Sequence, residues 1–119
     1  MQILLVDDNP IFLEGLKHLL GAGGAAEICT AQNGREALEK ASCFAPDAVL
    51  MDAEMKPFSG METARLLKKK DLHVKIILMS EREVDPEQMK RCGAVGLFNK
   101  NMDAKSLLEL LGRMERSGL

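Results

Sequence analysis

Four of the five apolar runs in the chain end on groups able to act together. Ile3 to Val6 runs into Asp7-Asp8, Ala48 to Met51 into Asp52, Ile76 to Met79 into Ser80, and Val95 to Phe98 into Asn99-Lys100; Ile28 to Ala31 ends in Gln32. A single Asp after a strand is commonly a turn former or helix cap. Three acids, a hydroxyl and a lysine at one rim are a chemical set. Two ionised carboxylates ~4 Å apart repel by about 4 kcal/mol at an effective dielectric of 20, so three together call for a compensating cation. Oxygen ligands suit a hard ion. Mg²⁺ keeps several waters and takes one or two protein carboxylates plus phosphate oxygens, which fits this sparse cluster better than a Ca²⁺ cage. Phosphate is then the implied reacting group. Phosphoryl transfer needs a nucleophile and positive or hydrogen-bonding groups around the moving oxygens. A carboxylate that attacks phosphorus becomes an aspartyl phosphate. Asp52 is the candidate nucleophile, with Lys100 and Ser80 the candidate partners of the phosphoryl oxygens.

The elements that must position this set follow from the apolar pattern. Short apolar runs with little polar alternation suit strands buried on both faces, and they alternate with longer segments of helical period. The βαβα order predicts an α/β fold with a five-stranded parallel sheet and helices on both faces. Sites in such sheets lie outside the C-terminal strand ends, where the strand order reverses. In the order 2-1-3-4-5, strands 1 and 3 are neighbours, which brings Asp7, Asp8 and Asp52 together. Helix punctuation agrees with these boundaries. Asn9-Pro10 reads as N-cap and first helical residue, and Gly21 is expected to stop that helix. Ser59 with Glu62 fits a capping box; Asp85-Pro86 starts a short helix ended by Gly93, with Val84 and Met89 placed as a hydrophobic staple. Asp103 is expected to cap a last helix that buries Leu107, Leu110, Leu111 and Met114.

The 119 residues, 46 % of them hydrophobic, suit a single domain, 1–119, that buries roughly two thirds of its unfolded surface. Residues 116–119 read as the start of a linker. The net charge of −2 arises from interspersed acids and bases, which argues against direct binding of nucleic acid or anionic lipid. The basic triplet Lys68, Lys69, Lys70 reads as a solvated helix end complementing the macrodipole. Three cysteines, at 29, 43 and 92, form no CxxC pair and suit reduced thiols in the cytoplasm. The chain enters a strand at once, with no signal-like or membrane-spanning stretch. His18 and His73 fall in polar surroundings without a partner that would make either a base or ligand.

Through "LLVDDNP", "VLMDAEMKPFSG", "IILMSE" and "GLFNK" the chain resembles the receiver domain of bacterial two-component response regulators along essentially its whole length. The resemblance implies a signalling domain rather than an enzyme. Asp52 would take a phosphoryl group from a sensor histidine kinase, with Asp8, Asp52 and the backbone carbonyl of Glu54 on Mg²⁺ and Asp7 contributing through water. Ser80 and Lys100 match the hydroxyl and lysine that bind the phosphoryl oxygens. "NPIFLEGLKHLL", and Asn101 in place of the usual proline after Lys100, resemble the subgroup whose receivers precede a helix-turn-helix output domain. That output domain or an effector protein is the implied partner, and a homodimer is left open.

Three positions depart from the family pattern. Lys56 stands where proline is usual, with Pro57 one place later. Glu81 replaces the small residue that normally follows the hydroxyl, and its charge would disfavour a phosphorylated state if it pointed into the site. Leu97 stands where the family carries an aromatic; Phe98 is one place off and, in a strand, points to the other face. Glu81 and Leu97 favour the alternative of a phosphorylation-independent interaction module. A phosphohydrolase of the haloacid dehalogenase type would want a DxD on the first strand, where this chain has adjacent Asp7-Asp8.

Overall fold

The computed structural model describes residues 1–22, 27–71, 73–101 and 104–116. The elements in chain order are β1 (Gln2–Val6), α1 (Pro10–Ala22), β2 (Glu27–Ala31), α2 (Gly34–Phe44), β3 (Ala48–Asp52), α3 (Gly60–Lys70), β4 (Lys75–Ser80), α4 (Pro86–Cys92), β5 (Gly96–Asn99) and α5 (Ala104–Arg116). All strand pairings are parallel, in the order β2-β1-β3-β4-β5. The expected sheet, order and covering helices are therefore present. Strand ends differ from the apolar runs by a residue or so. Asp52 and Ser80 pair as the last residues of their strands, because the ladder needs backbone groups and not apolar side chains.

Alternation along the strands sorts the core into two layers. Ile3, Leu5, Leu50, Ile77, Met79 and Phe98 meet Leu13 and Leu16 of α1 and Leu107 and Leu111 of α5 on one face. Leu4, Val6, Val49, Met51, Ile76 and Leu78 meet Ala37 of α2, Ala64 and Leu67 of α3 and Cys92 of α4 on the other. Phe98 is buried with the α1/α5 layer, while Leu97 packs with the opposite one, as the one-place offset requires.

The helix ends have visible causes. Asn9 Oδ1 accepts from the N–H groups of Ile11 and Phe12 at 3.0 and 3.3 Å, Ser59 Oγ from Glu62 N–H at 3.1 Å and Asp85 Oδ1 from Glu87 N–H at 3.0 Å. Asn33 supplies the same bond for α2, and Gly93, at φ 81°, closes α4 in the left-handed conformation. Lys68, Lys69 and Lys70 form the last turn of α3. One boundary departs from expectation: α1 continues past Gly21 to Ala22. A glycine inside a helix costs only about 1 kcal/mol, and the buried Leu16 and Leu20 anchor that turn. Asp103 and the side chain of Met114 lie outside what the structure describes, as do residues 117–119.

Gly60, the first residue of α3, lets that helix approach β3. An added Cβ there would sit 1.9 Å from the Asp52 carbonyl oxygen and 2.7 Å from its carbonyl carbon. Gly60→Ala is therefore expected to lower stability by about 1–3 kcal/mol or more in denaturant unfolding and to shift the Asp52 amide resonance. Gly15 has nothing within 4 Å of an added Cβ, and Gly15→Ala is expected to gain about 0.5–1 kcal/mol from helix propensity. Equal effects of the two substitutions would contradict this packing.

Candidate phosphoacceptor and cation site

Side-chain parity explains how the site assembles. Asp7 follows Ile3 and Leu5 at two-residue steps, Asp52 follows Ala48 and Leu50, and Lys100 follows Phe98; all of these apolar residues belong to the α1/α5 layer. The ladder carries this alternation past the strand ends. Asp7 N–H donates to the Ala31 carbonyl at 3.1 Å, and Lys100 N–H donates to the Ser80 carbonyl at 2.9 Å. Asp7 and Asp52 are thus fixed on adjacent strands, with Lys100 reaching across from β5.

Asp7 is fully buried and the Asp52 side chain about 10 % exposed, while Asp8 is exposed. The three carboxylates place a ligand oxygen each within 4.8 Å of the others. At that spacing two ionised groups repel by about 3–4 kcal/mol at an effective dielectric of 20. The Lys100 ammonium offsets part of this: it lies 2.6 Å from Asp7 Oδ2 and 3.5 Å from Asp52 Oδ2. Backbone turns orient the other oxygens. Asp7 Oδ1 accepts from Asn9 N–H at 3.0 Å and Asp52 Oδ1 from Glu54 N–H at 3.1 Å.

Burial raises the Asp7 pKa above its ordinary range, and the Asp52 charge adds to this against the pull of Lys100 and Asn9. For Lys100, burial is the largest single influence and works downward, yet Asp7 and Asp52 together outweigh it and the ammonium is held above its ordinary value. Folding therefore works against the ionised form of Asp7 and in favour of the protonated form of Lys100.

Ser80 is buried one residue beyond the register partner of Asp52. Its Oγ donates to Glu54 Oε1 at 3.4 Å and accepts from Arg82 N–H at 3.0 Å, while Arg82 Nε lies 4.0 Å from the same Glu54 oxygen. The acid against the hydroxyl is therefore Glu54; Glu81 is exposed. The sequence pattern points to Glu54 only through its backbone carbonyl, reads Asn9 only as a helix cap, and gives Arg82 and Phe12 no part in the site. The Phe12 ring centroid lies 4.6 Å from the Lys100 ammonium. Asn9 at i+2 from Asp7 was a readable turn signal; the reach of Glu54, Arg82 and Phe12 depends on rotamers that spacing does not encode. His18 and His73 are both exposed.

The chain belongs to the response regulator receiver domain family, whose description covers residues 3–112. It is 34 % identical over 112 residues to the nitrate/nitrite response regulator protein NarL of Escherichia coli, covering 92 % of this chain and 52 % of that protein. It is 31 % identical over 121 residues to the transcriptional regulatory protein DegU of Brevibacillus brevis, with 99 % and 51 % covered. The chain thus spans about half the length of these curated relatives. Among solved structures, the response regulator protein TrrA of Thermotoga maritima in complex with Mg²⁺-BeF matches with a TM-score of 0.86 and 36 % identity, covering 94 % of this chain and 96 % of that one. No described helix is long and apolar enough to cross a membrane.

The raised Asp7 pKa gives a signed expectation. An acid whose folded pKa exceeds its unfolded value loses stability as pH rises from the ordinary value, 3.8, through the raised one, and the penalty stays above both. Without divalent cations, Asp7→Asn is therefore expected to be more stable than the parent at pH 7, by a margin that shrinks towards zero as pH falls below about 4. Urea unfolding across that range measures it. An Asn variant less stable at pH 7 would mean that the Lys100 pair outweighs burial.

Proposed function

We propose that this chain is a cytoplasmic, phosphorylation-dependent switch that accepts a phosphoryl group on Asp52 from a sensor histidine kinase. The observation that carries the reading is the Asp52 carboxylate, mostly buried yet reachable, at the shared edge of two further acids and a lysine ammonium. The acids fit a hard divalent cation: the donors are all oxygen, they lie within 4.8 Å of one another, and Asp8 leaves one side open. Asp7, Asp8, Asp52 and the Glu54 backbone carbonyl would hold Mg²⁺, which supplies positive charge against the phosphoryl oxygens when bound.

In the reaction one Asp52 carboxylate oxygen forms a bond to phosphorus. The bond from phosphorus to the donor's leaving atom breaks, and that atom departs with the electron pair. Glu54 N–H fixes the carboxylate plane through Asp52 Oδ1, so the nucleophile enters in one orientation. Lys100, already within 3.5 Å of Asp52, would shift its charge from Asp7 onto the incoming oxygens. Ser80 would give up Glu54 and donate its hydroxyl to the phosphoryl group, and this regrouping at the ends of β4 and β5 is the event a partner would read. Relatives named as transcriptional regulators make transcription, through a further domain, the output we favour. Glu81 is exposed and Glu54 is the acid that meets the Ser80 hydroxyl, which leaves Leu97 as the firmer ground for the interaction-module alternative.

Acetyl phosphate with Mg²⁺ is expected to add one phosphoryl mass to the intact protein. Removal of Mg²⁺ or Asp52→Asn should abolish it, because an amide is a poor nucleophile towards phosphorus. Labelling of the Asn variant at the parent rate, or none of the parent with any small donor, would overturn the reading.

A further inference from the structure

The Lys100 side chain is only about 12 % exposed, so its ammonium has given up most of its water. Two carboxylates cover one side of it, at 2.6 Å and 3.5 Å. The other contact is not polar: the Phe12 ring of α1 lies with its centroid 4.6 Å away. A cation this close to an aromatic ring, within the ~6 Å range of cation–π attraction, is held by the negative face of the quadrupole. Phe12 is itself fixed from both sides. Its N–H is tied to the Asn9 cap at 3.3 Å, and its ring packs against the core layer that contains Phe98. The ring and the ammonium border a groove of about 350 Å³ between α1 and β5, which leaves room for small displacements of either.

The two kinds of contact differ in what they permit. A hydrogen-bonded ion pair fixes an ammonium at one acceptor. A ring face attracts it over a broad area, so the ammonium can slide from Asp7 towards Asp52 without losing that contact. We propose that Phe12 is a positioning residue for the phosphoacceptor reaction: it keeps the Lys100 ammonium at the common edge of Asp7 and Asp52 and lets it pass between them as the phosphoryl group arrives. This inference rests on the phosphoacceptor reading, because the movement it serves is the one that follows phosphoryl transfer to Asp52. It assigns a task to α1 that is separate from its core packing, which Leu13, Leu16 and Leu20 carry.

The test has two arms. In the resting protein, a ring face over the ammonium shields the neighbouring ε-methylene, so the Lys100 methylene protons are expected upfield of the other lysines in a carbon–proton correlation spectrum. Phe12→Leu should move them back among the others; unchanged shifts in the Leu variant would overturn the stacking. In the second arm, labelling by acetyl phosphate with Mg²⁺ is followed by intact mass. Phe12→Leu, or Phe12→Met should the Leu form fold poorly, is expected to slow transfer about threefold to tenfold, and Phe12→Tyr, which keeps the ring, to restore it to within about twofold of the parent. A purely structural role would instead track the unfolding midpoint and give Tyr no advantage over Leu. Equal rates for Leu and Tyr variants of equal stability would overturn the proposal. An unlabelled parent would overturn the phosphoacceptor reading and the kinetic role with it, whereas a parent that labels normally but lacks the shielded methylene would remove Phe12 alone.

Discussion

The Lys100 ammonium, held between the carboxylates of Asp7 and Asp52, is the interaction on which the rest of the site depends. Two acids on neighbouring strands, one fully buried, are an arrangement that folding would ordinarily avoid. Burial and the nearby Asp52 charge hold Asp7 above its usual pKa, so the cluster stores a deficit of positive charge that one lysine only partly fills. That deficit makes the rim receptive to a divalent cation and, with it, to an anionic phosphoryl group. A fully neutralised site would have no such appetite.

Everything around this contact serves to hold it. Parallel pairing puts β1 beside β3 and β5 at the edge beside β4, and the two-residue alternation along β1, β3 and β5 brings Asp7, Asp52 and Lys100 out on the α1/α5 side. Gly60 allows α3 to close on the Asp52 carbonyl. The Asn9 and Glu54 N–H groups fix the carboxylates from the loops, and Phe12 meets the lysine from the helix. The apolar layers beneath supply the rigidity: Leu4, Leu5, Leu50, Ile77, Leu78 and Met79 are wholly buried. The switch sits on a framework that does not itself need to move.

The sheet was legible because burial on both faces leaves an unbroken apolar run, and because Asn9-Pro10, Ser59, Asp85 and Gly93 punctuate the helices with residues of specific chemistry. The meeting of Asp7, Asp8 and Asp52 could be inferred once the strand order was assumed, and the parity of Phe98 against Leu97 followed from the two-residue period alone. Gly21 misled because a helix-breaking preference of about 1 kcal/mol yields to buried leucines in the same turn. The direction of Glu81 was open from sequence, since spacing does not say whether the alternation of β4 continues past Ser80, and Glu54 proved to be the acid against Ser80. The Phe12–Lys100 contact was out of reach for a related reason. It joins a helix to a strand far apart in sequence through two flexible side chains, and neither residue type announces the other.

The central claim, that this charge-deficient rim exists to make Asp52 a phosphoryl acceptor, is tested most directly by locating the modified atom. An acyl phosphate on a carboxylate is reduced by borohydride to the alcohol, so an aspartyl phosphate becomes homoserine at its own position. After treatment with acetyl phosphate and Mg²⁺, reduction and proteolysis, the account expects homoserine at position 52 and unmodified aspartate at 7 and 8. Homoserine at either of those positions, or aspartate at all three in protein that carries the phosphoryl mass, would contradict it.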